Sequence, residues 1–370
     1  MAMSFMEGNE AVAWGAFDAG CRFFAGYPIT PATTIYNTML RLLPPAGGIC
    51  LQGEDEIASI GFCLGASMAG LKVMTATSGP GISLYSEQIS FAIGGEIPIV
   101  IVDVQRLGPS TGSATRGADG DIQFLRWGNS GGLPVIVLAP SDVRDCYMLT
   151  REAFNLSETY RCPVFVASNK EIGMTRESID VETVPSSRPL KRTASPDPDR
   201  FQPFAVRDDR TVPDFLPIGG PRVVRQTSST HGTDGYITTD PGEISRILDR
   251  MTRKVAGAVG NFSLHEVDAQ DDAGILIITY GITARAARVA LDDLRTAGER
   301  VSLLVLKTLW PVPGRLIRKT AENIERVIVA EMNNGQYVRE IERLLPQHTI
   351  DFVGRMDGTL ISPEDIRETV

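Results

Sequence analysis

With 370 residues, 43% hydrophobic and 22% charged, the chain is long enough for two or three domains and has the composition of a soluble globular protein. Its net charge of −9 carries no basic cluster, which excludes a nucleic-acid groove and argues against docking on anionic lipid. Cys21, Cys50, Cys63, Cys146 and Cys162 stand far apart, without a CxxC or a Cys/His pair at metal spacing. They are expected as buried thiols of a reducing cytoplasm rather than zinc or iron–sulfur ligands.

The N-terminal stretch carries Glu7 and Glu10 and no basic run, unlike a signal peptide. Helical periodicity follows over Asn9–Ala19, then a short apolar run, Arg22–Tyr27, that stops at Pro28. Glu54–Ala69 is rich in small and apolar residues and predicts a helix packed closely on a sheet. Leu71–Ala76, Ile97–Asp103, Pro134–Leu138 and Pro163–Val166 read as strands buried on both faces, and all are far too short to span a membrane. Ser141 is expected to start the next helix, with Asp142 and Asp145 in its first turn. Such alternation predicts an α/β fold with a parallel sheet covered on both faces.

At Val184 the character changes. Residues 185–243 are rich in Pro, Ser, Thr, Arg and Asp and hold no sustained period, yet they carry FQPFAV, DFLPIGG and the pair His231–Gly232. An ordered excursion that meets a partner is favoured over a flexible linker. Alternation resumes over 244–370, with strands expected at Gly274–Tyr280, Val301–Leu306, Val327–Ala330 and Ile350–Val353. Ser362-Pro363-Glu364-Asp365 predicts the start of a last helix. The division expected is therefore 1–184, 185–243 and 244–370.

Three stretches place polar residues where a strand ends or a helix begins, the edge at which open parallel sheets bind ligands. They are Gly26–Thr33, Gly53–Leu84 and Val104–Gly112. Within the second, Thr75–Gly81 reads TATSGPG: its glycines let backbone approach a ligand and expose helix N-terminal N–H groups, though a tight structural turn has the same composition. It lacks the lysine of a nucleotide-triphosphate loop. Glu54, Asp55 and Glu56 precede a smooth helix of Ala58, Gly61, Gly65, Ala66 and Ala69. They favour a helix N-terminus electrostatically; alternatively, one is partly desolvated there and holds a proton for a ligand nitrogen.

Taken together, GNEAVAWGAFDAG, AGYPITPAT, EDEIASIGFCLGASMAG, TATSGPG and EIPIVIVDVQRLGPSTG resemble, in that order, the pyrimidine-domain subunit of 2-oxoacid:ferredoxin oxidoreductases. YGITARAARVALDDLRTAG, LKTLWPVP and VAEMNNGQ are similar to the transketolase C-terminal-like domain of the same family. The resemblance implies a parallel-sheet thiamine-diphosphate pyrimidine-binding domain followed by that second α/β domain. It implies an alpha subunit, inactive without a beta subunit that holds the cofactor's diphosphate, Mg2+ and a 4Fe-4S cluster. A gamma subunit and a ferredoxin-like subunit are further expected partners, and no metal is expected in this chain.

In that family's chemistry Glu56 hydrogen-bonds the aminopyrimidine N1′ and favours the imino tautomer that removes the thiazolium C2 proton. The 2-oxoacid then loses carbon dioxide, electrons pass singly to clusters and ferredoxin, and coenzyme A takes the acyl group. Thr30 and Arg106 match positions that contact substrate, and arginine's planar fork suits a carboxylate. Pro28, Ile29, Thr77, Ser78 and Gly79 complete the implied cofactor site. Each has a plainer reading: Thr30 between two prolines ends a strand, Arg106 pairs with a surface acid, and Glu54 competes with Glu56. His231 is either a ligand-side or interface residue or one with a structural hydrogen bond, and Asn333, Gly335 and Gln336 are expected to cap a strand-to-helix turn.

Gly117-Ala-Asp-Gly-Asp121 looks like the start of a magnesium motif, but its Asn-containing end would fall at Asn155, late and inside a predicted helix, so metal binding is rejected. GPSTG leans toward a 2-oxoglutarate enzyme. The residues after it depart from that pattern: Arg116 or Arg126 could meet a distal carboxylate, whereas Trp127 would suit a branched or aryl side chain. A non-redox transketolase-type component is the remaining alternative.

Overall fold

A computed structural model of the chain describes residues 3–185, 187–207 and 210–370. The large sheet has seven strands, in the order Thr308–Trp310, Ile136–Leu138, Pro163–Asn169, Ile99–Gln105, Val73–Thr77, Phe23–Gly26 and Ile49–Gln52. All neighbours are parallel except the first pair. Residue alternation sorts its two faces: Val100, Val102 and Val104 meet the helices Gly8–Asp18, Thr33–Leu42 and Val143–Tyr160, while Ile99 and Ile101 meet Glu56–Met68, Ser86–Gly94 and Ile122–Trp127. Burial on both sides is why Ile97–Val102, which enters this strand, reads as an unbroken apolar run.

A second sheet orders Thr349–Gly354, Arg326–Glu331, Ile275–Thr279, Val301–Leu306 and, antiparallel at its edge, His265–Asp268. A third, of two antiparallel strands, pairs Ser4–Glu7 with Arg176–Ile179. The strands foreseen in both halves are present within a few residues. The strand Thr308–Trp310 was not foreseen: it leaves the second unit and closes the edge of the large sheet against Ile136–Leu138. The helix expected from Ser141 begins at Val143, because Asp142 is its cap and accepts from the Asp145 N–H at 2.7 Å. Among the described residues no helix is long and apolar enough to cross a membrane.

The described part of the connecting segment has one short helical turn, Pro198–Arg200, and is tied down by side chains. Arg192 pairs with Glu158 at 2.8 Å, and Arg161 donates to the carbonyls of Pro203, Pro213 and Asp214. Asn155, weighed as a metal-motif terminus, lies inside the helix Val143–Tyr160 and binds Ser187 and Leu190 of this segment. The helix Pro241–Ala256 then returns to the first unit, where Arg250 and Lys254 grip the fully buried Glu96 at 2.5 and 2.7 Å.

Candidate active site at the carboxyl edge of the large sheet

Phe23–Gly26 lies between Ile49–Gln52 and Val73–Thr77, so the chain moves outward after the first of these strands and crosses back after the second. That reversal opens a crevice at the carboxyl ends of Phe23–Gly26 and Val73–Thr77. The loop leaving the first strand carries Pro28, Ile29 and Thr30; the turn leaving the second carries Ser78 and Gly79. The helix that crosses back begins with Glu56, and Arg106 follows Ile99–Gln105 immediately.

Local capping sets Glu56. Asp55 is the N-cap and accepts from the Ala58 N–H at 2.7 Å, which fixes Glu56 as the first helical residue. Glu56 is only 7% exposed, and its carboxyl takes no hydrogen bond among the described residues. Gly81 lies directly against it: a Cβ there would collide with the Thr77 hydroxyl and stand 3.0 Å from Glu56 Oε1. The hydroxyls of Thr77 and Ser78 are fully buried; among the described residues Ser78 has no partner, and Thr77 has none of good geometry, though it lies close enough to the Tyr85 phenol to act on it. Unsatisfied donors and acceptors at such depth are uncommon. A carboxyl and two buried hydroxyls around a glycine-smoothed turn fit a flat heterocycle bearing ring and exocyclic nitrogens.

Arg106 closes the other side. It donates through Nη1 to the Thr30 carbonyl at 2.6 Å and through Nη2 to the Thr111 carbonyl at 2.9 Å; its Nε is buried without a partner. Its stem packs over Gly79, whose Cβ, if present, would lie 3.5 Å from Arg106 Cγ. Asn9 holds the same loop, donating to the Pro31 carbonyl at 2.8 Å. Thr30 itself is exposed, and Pro28 and Ile29 are half-buried. The residues expected at the site thus converge on one edge.

The other residues weighed near substrate have contacts of their own. Arg126 donates to the Gly132 and Leu133 carbonyls and lies 3.8 Å over the exposed Trp127 ring, and Arg116 is exposed and packs on Gly358. His231 is buried, stacks on Phe204 and shares a 2.6 Å contact between Nδ1 and the Ser229 carbonyl, the structural hydrogen bond weighed from sequence. Asn333 caps the turn as expected: its Oδ1 accepts from the Gly335 and Gln336 N–H groups.

Three buried acids were not among the residues expected at the site. Asp103, in the middle of an apolar strand, is fully buried on the face that carries Ile99 and Ile101. Its oxygens have no partner of good geometry among the described residues, and the groups nearest are the Gly79 N–H and the Asp121 carboxyl. Two facing carboxyls bond to each other only when one is protonated. Burial and then Asp121 push Asp103 well above the carboxylate range; burial also raises Asp121, less strongly because Asp103 and the Arg106 guanidinium oppose the rise. Asp119, buried and bonded to Asn169 at 2.8 Å, is pushed up to about 7 by burial, against the Asn169 bond and with Glu331 and Asp121 adding to the rise. No group of three or more potential metal ligands is formed among the described residues.

The chain is similar to known proteins over most of its length. Residues 14–249 match the family described as pyruvate flavodoxin/ferredoxin oxidoreductase, thiamine diphosphate-binding, and residues 273–366 match pyruvate:ferredoxin oxidoreductase core domain II. The chain is 40% identical to the 2-oxoglutarate synthase subunit KorA of Methanocaldococcus jannaschii, over 100% of both chains. It is 38% identical to the subunit of the same name from Methanothermobacter thermautotrophicus, over 98% of this chain and 96% of that one. Among solved structures, it superposes with a TM-score of 0.91 and 33% identity on the 2-oxoglutarate:ferredoxin oxidoreductase of Magnetococcus marinus, solved with 2-oxoglutarate, coenzyme A and succinyl-CoA bound. All of this chain is covered there, but only 64% of that one.

Proposed function

The chain belongs to the pyruvate flavodoxin/ferredoxin oxidoreductase family, and on that premise we propose that it is the alpha subunit of a 2-oxoglutarate:ferredoxin oxidoreductase that uses thiamine diphosphate and works only with a beta subunit. The reaction turns 2-oxoglutarate and coenzyme A into succinyl-CoA and carbon dioxide, passes two electrons singly to ferredoxin, and releases one proton. The beta subunit carries the cofactor's diphosphate with Mg2+ and a 4Fe-4S cluster. A gamma subunit and a ferredoxin-like subunit complete the assembly in the cytoplasm.

The observation that carries this reading is the meeting of Glu56, Thr77, Ser78 and Arg106 at the crevice where the strand order reverses, with two hydroxyls and a guanidinium nitrogen buried and lacking a well-formed hydrogen bond among the described residues. Thiamine diphosphate, when bound, supplies the carbon nucleophile that adds to the 2-oxo group and accepts the electron pair left by carbon dioxide. Glu56 donates or accepts the proton at the pyrimidine N1′, a task suited to a carboxyl that is nearly dry and otherwise unbonded. Thr77, Ser78 and the half-buried Pro28 and Ile29 line the ring's walls, and Gly79 and Gly81 keep Cβ atoms out of its space. Arg106 orients the substrate carboxylate beside Thr30, its donors already held by two carbonyls so that little freedom is lost on binding. Thr77 and Ser78, both buried, keep that wall of the crevice dry.

The test is to purify the complex assembled around this chain and follow ferredoxin or viologen reduction with a panel of 2-oxoacids, with and without coenzyme A. Reduction dependent on 2-oxoglutarate, with succinyl-CoA formed, is the expected outcome. Iron-free reconstitution that catalyses group transfer and reduces no acceptor would remove the oxidoreductase assignment.

A further inference from the structure

The second sheet has a crevice of its own, and the chain fills it. Ile275–Thr279 lies between Val301–Leu306 and Arg326–Glu331, so the chain moves from it to one side and then returns to the other. At such a reversal, beyond the carboxyl ends of the two adjacent strands, open parallel sheets bind ligands. Here residues 119–123 of the first unit take that place. The Asp119 N–H donates to the Met332 carbonyl at 2.8 Å, and its carboxyl lies against Gly281, whose Cβ, if present, would stand 3.1 Å from Asp119 Oδ2. Asn333 donates to the Asp119 carbonyl at 2.9 Å. Gln336 grips the rest with both ends of its amide: Nε2 donates to the Gly120 carbonyl and Oε1 accepts the Gln123 N–H at 2.9 Å. Its backbone carbonyl accepts from Gln123 Nε2 at 2.6 Å. The buried Glu331 carboxyl accepts from the Tyr280 hydroxyl, the Asn333 amide and the Tyr337 and Val338 N–H groups, so the turn that presents Asn333 and Gln336 is itself fixed.

Residues 119–123 continue the loop that leaves Arg106. The Leu107 N–H donates to the Arg116 carbonyl and the Ser113 N–H to the Leu107 carbonyl, both at 2.8 Å, which closes residues 107–116 into one loop. Arg106 itself donates to the Thr111 carbonyl in that loop, and Arg116 packs on Gly358 of the second unit. The outgoing limb is therefore fixed by the first sheet and the returning limb by the second unit. We propose that Gln336 is a positioning residue: by holding Gly120 and Gln123 it sets the loop 107–116 and, through the Thr111 carbonyl, the direction of the Arg106 guanidinium. The second unit thus takes part in substrate binding without touching substrate. The inference rests on the reading that Arg106 holds the substrate carboxylate. Gln336 carries no charge, so its effect is one of orientation, and a small displacement is enough to misalign a planar fork with its partner. The cofactor side of the crevice does not share this anchor, because Glu56 and Thr77 stand on a helix start and a strand end of the first unit.

The experiment uses the whole complex with Gln336→Met, which keeps the length of the side chain and removes both amide bonds. The 2-oxoacid KM is expected to rise roughly tenfold while kcat stays within about twofold, the scale of one or two lost hydrogen bonds. Thiamine diphosphate titrated into the cofactor-stripped variant should bind as in the wild type. A parallel loss of cofactor affinity would mean general loosening, a merely structural role, and would overturn the proposal. Hydrogen exchange reads the loop without substrate: the Leu107 and Ser113 amides should exchange roughly tenfold faster in the variant. Unchanged exchange overturns the proposal as well. Faster exchange with a wild-type KM also overturns it, and Arg106→Ala then tells which premise failed. A wild-type KM in Arg106→Ala removes the reading of Arg106 itself; a raised one removes only the link from the loop to Arg106.

Discussion

The Arg106 guanidinium donates to the carbonyl oxygen of Thr30 at 2.6 Å and so joins the loop after Phe23–Gly26 to the end of Ile99–Gln105. One strand end at the crevice and the end of the next strand but one are thereby tied together by the residue expected to meet substrate. Replacing Arg106 with Ala should reduce kcat/KM for the 2-oxoacid by the equivalent of about 2–4 kcal/mol, the usual loss for a buried charged hydrogen-bonding partner. Lysine should recover part of this, since it restores the charge without the fork. Steady-state kinetics of the complex decide the matter: unchanged constants in both variants mean that the substrate carboxylate lies elsewhere.

Glu56 has the opposite character, a carboxyl held at the crevice by helix geometry and by nothing else among the described residues. Glu56→Gln keeps the shape and removes the proton exchange, so activity should fall by about 10²–10⁴. Co-purification with the partner subunits should remain intact. A variant that turns over at the wild-type rate would show that another group serves the pyrimidine nitrogen, with Glu54 the first to examine.

Much of this site was legible because each part is local. Thr75–Gly81 announces its turn through two glycines and a proline, and Glu56 announces itself through the acid run ahead of a smooth helix. Arg106 follows the largely apolar strand Ile99–Gln105 without a break. Asp103 was not legible for the same local reason: inside IVIVDVQ it reads as one polar residue in a buried strand. Its partner Asp121 stands in a segment read as a failed metal motif. The pairing depends on how the chain between them folds, which periodicity does not report. The strand Thr308–Trp310 hid similarly, since joining the edge of another unit's sheet leaves no mark in three residues. Helix and strand types followed from pattern, whereas contacts between distant segments needed the structure.

Gly81 gives a sharper test of the pocket's shape than its polar groups do. A methyl group there would meet the Thr77 hydroxyl and approach Glu56 Oε1 to 3.0 Å. Gly81→Ala is therefore expected to displace Glu56, at about 1–3 kcal/mol in stability from overpacking and with a large loss of activity. Titration of thiamine diphosphate into the cofactor-stripped complex should show weaker binding. Normal cofactor affinity together with normal activity would mean that the turn has space which the close contacts deny.

The ion cluster at Glu96 connects stability to pH. Burial alone would raise this carboxyl, but Lys254, Arg250 and Arg161 outweigh it and hold Glu96 down at about 2, below its ordinary 4.5. A carboxylate depressed in the folded state stabilises fully above its unfolded value, and that contribution is lost as pH falls from about 4.5 toward 2. Its partner Lys254 is lowered by burial despite the pull of Glu96, so the ammonium is the costly member and the acid limb belongs to the carboxylate. Glu96→Gln strands Arg250 and Lys254 without their counter-charge, and breaking a buried pair in this way costs about 3–5 kcal/mol. Thermal scanning of the complex should show a lower Tm near neutrality and a shallower decline below pH 4.5 than in the wild type. Because Arg250 and Lys254 lie on the helix Pro241–Ala256, the loss should appear first as protease sensitivity in that helix and the segment before it. An unchanged Tm with an unchanged acid limb would mean that apolar packing by Ile247, Met251 and Val255 holds the helix without the ion pairs.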